Sequence, residues 1–271
     1  MNDFTISAFR SLLAALISNG YSFQTFENYL KKPENKVIIL RHDVDDLRAN
    51  ALRIARLENK MQIEGTFFFR IHKNSYDTET IKEIAALGHE IGYHYEDINL
   101  ALDQMKNSPD YEQIDENVLI DTAWELFKLH LAKLRKIYPI STISMHGSPR
   151  SKYDNKALWQ KYNFRDVGII GEPYLDIDFN EVAYLTDTGR RWNGFDVSIR
   201  DKVDGKFNFN FRTTKQIIDN IEQLPDKLMF TFHPQRWTDN PAFWVWELMM
   251  QNVKNIVKGA LVRRKWGEDI A

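Results

Sequence analysis

Cysteine is missing from all 271 residues of this chain. That excludes disulfides and thiolate ligands, so any metal must be held by His, Asp or Glu. Also missing is an apolar run long enough to cross a bilayer. Charge of one sign does not dominate: 36 Lys and Arg stand against 38 Asp and Glu, a net charge of −2. Such a balance leaves no electrostatic footprint for nucleic acid or an anionic membrane. Linkers rich in Pro, Gly or Ser, low-complexity tracts and internal repeats are absent too. The stretch Leu12-Leu13-Ala14-Ala15-Leu16-Ile17 has no basic segment before it and no small-residue cleavage site after it. It reads as an amphipathic helix closed by Gly20 rather than an export signal, and a cytoplasmic location is the expectation.

What is present is an alternation of strands and helices over a composition that is 43% hydrophobic, sufficient for a sizeable core. The β-branched run Lys36-Val37-Ile38-Ile39-Leu40 predicts a buried strand. Leu47, Ala51, Ile54 and Ala55 then form a helical face. Further strands are expected over Gly65 to Ile71, Glu90 to His94, Ser141 to Met145, Phe164 to Ile170 and Leu228 to Phe232. Helices are expected over Thr78 to Leu87, Tyr111 to Ile137, Asn155 to Tyr162 and Thr213 to Leu224. Asn240-Pro241 opens a long C-terminal helix, with Asn as cap and Pro in the first turn. Gly171 to Phe211 is less regular and suggests hairpins and loops. Repeated βα units imply a mainly parallel sheet, open or closed, in one domain over 1–271. In such folds function collects at the carboxyl ends of the strands.

The ionisable residues follow that rule. Asp43 and Asp45 follow the first strand, and they point the same way if extended geometry persists through Val44. His94, His146 and His233 end three later strands, in a chain with seven His. A lone His at a strand end is more often a hydrogen-bonded structural residue than a ligand, and the alternative for Asp43 to Asp46 is a cap for the next helix. The recurrence at four strand ends favours a site. An Asp/His/His set suits zinc and similar divalent ions.

These residues resemble the polysaccharide deacetylase superfamily (carbohydrate esterase family four). His42-Asp43-Val44-Asp45-Asp46 is similar to its first motif, in a spelling that places Val between the two acids. Gly65-Thr66-Phe67-Phe68-Phe69, Gly88-His89-Glu90-Ile91-Gly92-Tyr93-His94 and Phe232-His233 continue the likeness in order along the chain. The resemblance implies an α/β fold, an irregular and usually seven-stranded (β/α) barrel. It implies Asp43 as general base, Asp45 and His94 as metal ligands and His233 as general acid. The family's second motif has another His four residues after the first, where this chain has Ile98. His146, in His146-Gly147-Ser148-Pro149-Arg150, is the expected replacement ligand, with Arg150 or Arg41 orienting the base. Asp187, in Asp187-Thr188-Gly189-Arg190-Arg191-Trp192, is the expected partner of His233, with Asp196 and Asp201 as competitors. An Asp bonded to that imidazole would favour its protonated form.

The expected activity is metal-dependent removal of an N-acetyl group from an amino sugar or glycan intermediate, with zinc as the ion. Tyr93, Tyr95, Tyr174 and Trp192 are candidates for stacking on a sugar. The alternatives are hydrolysis of a small amide or imide on the same scaffold, and a catalytically silent carbohydrate-binding relative. A carbohydrate is the only partner expected, with no nucleic acid and no membrane span; the sequence does not give the oligomeric state.

Overall fold

In a computed structural model, the structure describes residues 2–106, 114–147, 151–192 and 201–268, with side chains as far as 256. α1 (Ile6–Ser18) starts where the Thr5 hydroxyl accepts a hydrogen bond from the Ala8 N–H, and it buries Ala8, Phe9, Leu12, Leu13 and Leu16. β1 (Ser22–Gln24) and α2 (Phe26–Lys31) follow. β2 (Val37–Val44) is buried along its whole length. A strand covered on both faces can carry a continuous apolar run. The remaining elements are α3 (Arg48–Lys60), β3 (Thr66–Phe69), α4 (Thr78–Ala86), β4 (Glu90–Tyr95), α5 (Asp97–Met105), α6 (Glu116–Arg135) and β5 (Ile143–Met145). After them come α7 (Leu158–Lys161), α8 (Pro173–Asp176), β6 (Ala183–Thr186), α9 (Thr214–Asp219), β7 (Lys227–Phe232) and α10 (Pro241–Glu268).

The seven strands form one parallel sheet, six of them in the order β5-β4-β3-β2-β7-β6, with β1 paired to β2 off that path. β1 and β3 share one edge of β2: β1 pairs with Val37 to Ile39, and β3 with Arg41 to Val44. The sheet curls into a half-barrel with β5 and β6 at its ends.

Side-chain alternation splits the core in two. Ile38, Leu40 and Val44 of β2, with Phe67, Ile91, Phe230 and Phe232, face outward onto the helices. Val37, Ile39, Phe68, Tyr184 and Met229 face inward, where Phe26, Tyr29, Ile177 and Phe179 plug the floor. His42 belongs to the outer layer: its ring stacks on Phe67 and Phe232, and its Nε2 lies 2.8 Å from Glu58 Oε1. His89 is also buried under the sheet, its Nε2 donating to Ala55 O and its Nδ1 accepting from the Gly65 N–H.

Several expectations are corrected. The segment expected as a strand over Phe164 to Ile170 starts as a 3-10 turn, Phe164–Val167. The Asn163 side chain accepts from the Arg165 N–H and Gly168 closes the turn at φ 74°, so local capping overrides the apolar run. Instead of hairpins, the segment after Gly171 contains α8 and the parallel strand β6. Leu47 does not join its helix's buried face but sits at its N-cap with φ 50°. A helix the sequence did not suggest, α5, precedes the long charged helix, which runs over Glu116–Arg135. No helix among the described residues is long and apolar enough to cross a membrane.

Candidate active site

Alternation carries the inner face of β2 from apolar to charged as it rises: Val37 and Ile39 give way to Arg41 and Asp43. Both are buried, and the guanidinium holds the carboxylate through two bonds, Nε to Oδ1 at 2.9 Å and Nη2 to Oδ2 at 2.7 Å. Such a paired fork fixes the carboxylate's orientation. Arg41 also lies 4.7 Å over the Tyr174 ring. Beyond the strand's end Asp45 joins Asp43 in lining one cavity of about 460 Å³, together with His94, His146 and His233. Four strand ends therefore deliver side chains to one place.

Asp45, His94 and His146 can each direct one ligand atom so that all lie within 4.8 Å of one another. Asp45 Oδ1 stands 3.4 Å from His94 Nε2 and 3.5 Å from His146 Nε2. His94 Nδ1 is 2.9 Å from Ser144 O. A carbonyl only accepts, so Nδ1 carries the proton and the Nε2 lone pair is turned to the cluster. His146 Nδ1 lies 3.1 Å from Glu96 Oε2, and its Nε2 is the nitrogen on the side of Asp45. Asp45 Oδ1 is buried and has no hydrogen bond among the described residues. An orphaned carboxylate oxygen facing two imidazole nitrogens is the arrangement a divalent cation satisfies. The residues present fit a metal ion.

Electrostatics draw positive charge to the cluster. Burial pushes the Asp45 carboxyl up, but the imidazoles of His146, His94 and His233 hold it well below the usual carboxylate range. Burial likewise opposes charge on His94, and Asp43 and Asp45 reverse this and raise it. Glu96 falls to about 2, because His146 and Arg70 outweigh its burial. Arg70 grips it through two bonds of 2.8 and 2.7 Å.

At the end of β7, His233 Nδ1 is 2.6 Å from Asp187 Oδ1, and its Nε2 is 3.9 Å from Asp45 Oδ2. Asp187 follows β6 and is fully buried. Its oxygens also accept from the His233 backbone N–H, Arg236 Nη1 and Trp237 Nε1. Burial opposes its ionisation, but Arg236 and then His233 keep its pKa low. Asp201, a competitor for that role, instead accepts from the hydroxyls of Tyr174, Tyr184, Thr186 and Thr188.

The structure thus brings together Asp43, Asp45, His94, His146, His233 and Asp187. Arg150 and Asp196 lie outside the described residues, and Arg41 is the arginine that holds Asp43. Ile98 sits in the first turn of α5 and is buried in the outer core, so its position cannot reach the cluster. Of the aromatics considered for stacking, Tyr93, Tyr95 and Trp192 are core residues, and Tyr174 alone lines the cavity. Glu96 could have been singled out, since period-two spacing places it on the same side as His94. Phe243, Trp246, Glu247 and Gln251 of α10 also line the cavity and were not anticipated.

No family model and no curated relative matches the chain. Solved structures do, and three of them carry the description of family 4 carbohydrate esterases. One, from Bacillus anthracis, is 12% identical with a TM-score of 0.38, covering 89% of this chain and 84% of that one. The Xyl-CE4 domain of a multidomain xylanase from the hindgut metagenome of Trinervitermes trinervoides is 11% identical with a TM-score of 0.39, covering 86% and 92%. A CE4 esterase of Streptococcus mutans is 12% identical with a TM-score of 0.44, covering 89% and 90%.

Proposed function

We propose that the chain is a metal-dependent hydrolase that removes an N-acetyl group from an amino sugar or a glycan intermediate, acting as one catalytic domain. The observation that carries this reading is the convergence of an Asp/His/His donor set with two further groups, each held by its own buried partner. Asp45, His94 and His146 would hold the ion, and a set of one carboxylate and two imidazoles suits zinc. A divalent ion there supplies Lewis acidity. Everything else falls to the chain. Asp43, fixed by the Arg41 fork, takes the proton of an attacking water. It lies 3.6 Å from His94 Nε2, close enough to serve the same reacting centre. His233, oriented by Asp187, presents Nε2 to the cavity and gives a proton to the departing amine, which leaves poorly without one. Tyr174 offers a ring beside the base.

Elemental analysis of the purified protein, with acetate release from N-acetylated amino sugars, tests the reading. The wild type should retain a divalent ion and His146→Ala should lose it. Asp43→Asn should lower the deacetylation rate by at least about a hundredfold. Unchanged metal content in His146→Ala, or an intact rate in Asp43→Asn, sinks the proposal. Retained metal with no acetate released from any amino sugar would shift the reading to a small amide or imide.

A further inference from the structure

The net charge of −2 hides an uneven distribution along the chain. From 248 to 267, within α10, the sequence has five cations, Lys254, Lys258, Arg263, Arg264 and Lys265, and no Asp or Glu. The first half of the same helix is also inside out. A helix packed on a globular protein normally turns its apolar stripe inward. In α10 the buried residues include the polar Glu247, Gln251 and Asn255, spaced by four. Glu247 and Gln251 back onto the cavity, and Asn255 Nδ2 donates to Gly189 O at 2.9 Å.

The apolar side chains point out. Val245, Trp246, Met249, Met250, Val253 and Ile256 are between 37% and 72% exposed. These six are half of the twelve large hydrophobic residues left exposed among the described residues. At roughly 100° per residue they fall within about 140° of arc, so they form one continuous stripe. Lys254, also exposed, stands about 40° beyond the edge of that stripe.

Single exposed apolar residues are ordinary, but a contiguous stripe marks a surface that something covers. Charge identifies the cover. A second copy would bring a helix with the same excess of cations against this one, and like charges repel. An apolar stripe edged by lysine, on a segment without acids, is complementary to a bilayer with anionic headgroups. The lysine stem lies along the apolar surface and carries its ammonium to the phosphates. Trp suits that boundary too, with an apolar ring and a polar indole N–H.

We propose that α10 docks on an anionic lipid bilayer, its outward stripe seated at the headgroup level and its axis in the plane of the surface. The helix lies on the membrane and does not cross it. Trp246 belongs both to the stripe and to the cavity lining, with the Phe243 ring 5.7 Å from its own. The mouth of the cavity therefore opens at the edge of the docking face, and docking sets that mouth at the membrane surface.

Flotation of the full chain with lipid vesicles tests the proposal and depends neither on activity nor on a metal. Vesicles of equal parts phosphatidylcholine and phosphatidylglycerol should carry the wild type. Binding to phosphatidylcholine alone should be at least about tenfold weaker. Added salt, which screens the cations, should weaken binding to the anionic vesicles. Met249→Glu combined with Val253→Glu places two carboxylates on the stripe and should reduce binding at least about tenfold. Leu129→Glu, the same kind of change at an exposed position of α6, should leave binding unaltered. Thermal melts matching that of the wild type confirm that the variants are folded. A wild type that does not float with the anionic vesicles, or binding that survives the double substitution, overturns the proposal. So does a wild-type dimer in sedimentation velocity that the double substitution dissociates, with no vesicle binding, which assigns the stripe to a second copy.

Discussion

The side chains to which we assign the chemistry are held still by others. Arg41 and Asp43 form a buried ion pair. Such a pair is a weak source of stability, but breaking it leaves an uncompensated charge in a dry place. Its use here is orientation. Glu96 stands beside His146 at ion-pair distance, and outer partners of this kind tune metal affinity. Glu96→Gln should therefore weaken binding of a divalent ion by about 10- to 100-fold, measured by competition with a chelator. An affinity equal to that of the wild type would show that Glu96 serves Arg70 alone. That Asp43 and Asp45 stand side by side could be read from their spacing and place after a β-branched run, whereas the roles proposed for them come from the family resemblance. Arg41 as the partner of the base could be read only as one of two choices, because a side chain two residues away on the same strand face is a neighbour only if the strand is regular.

Among elements, β2 shows how alternation alone builds a site. Its odd-numbered residues pass from Val37 and Ile39 in the inner core through the buried Arg41 to Asp43 in the cavity, while the even-numbered ones stay in the outer core. β4 depends on a gap. A Cβ on Gly92 would come within 2.3 Å of the Phe68 ring, so the missing side chain is what lets that ring fill the barrel interior. Gly92→Ala should destabilise the fold by about 1–3 kcal/mol through overpacking, read from chemical unfolding. No loss of stability would mean that Phe68 moves freely aside. The start of α9 was legible, at Thr213, which forms a full capping box with Gln216, but its end was not, for the helix stops at Asp219 and a 3-10 turn covers Ile221–Gln223. α5 was not legible. It begins at Asp97 because Asn155 Oδ1, 57 positions away, accepts the Ile98 N–H, a long-range contact invisible to local pattern. The same contact ties α5 to the site, for Asn155 Nδ2 donates to His146 O at 2.9 Å.

For the whole molecule, the question is how an open sheet encloses a cavity. The gap between β5 and β6 is spanned by side chains. Glu172 accepts from the Met145 N–H at 3.0 Å and the Tyr174 N–H at 2.7 Å. Tyr174 then donates to Asp201, which Tyr184, Thr186 and Thr188 bind from the β6 side. Burial pushes Glu172 up to about 7, against those N–H groups and the charge of Arg41. Its unfolded value is near 4.5, so the folded chain binds more protons than the unfolded one between the two values. Its contribution to stability is fully present below pH 4.5 and is lost as pH rises through about 7. The span corresponds to about 3 kcal/mol. Glu172→Gln should remove this component, so that melting temperatures at pH 5 and pH 8 differ less than in the wild type. An unchanged difference would place the pH dependence elsewhere.

Composition and periodicity by themselves determined the class of fold, the direction of most elements and the donor types open to a metal. Buried strands and amphipathic helices write those properties locally, and the absence of cysteine leaves only nitrogen and oxygen ligands. Tertiary structure decided the rest. It turned Ile98 into the outer core and set His146 beside Asp45. It also made Trp192 a core residue and gave the inner face of α10 a cavity to line. Each of these depends on which strand end meets which, and a distance between segments far apart in the chain leaves no trace in either segment alone.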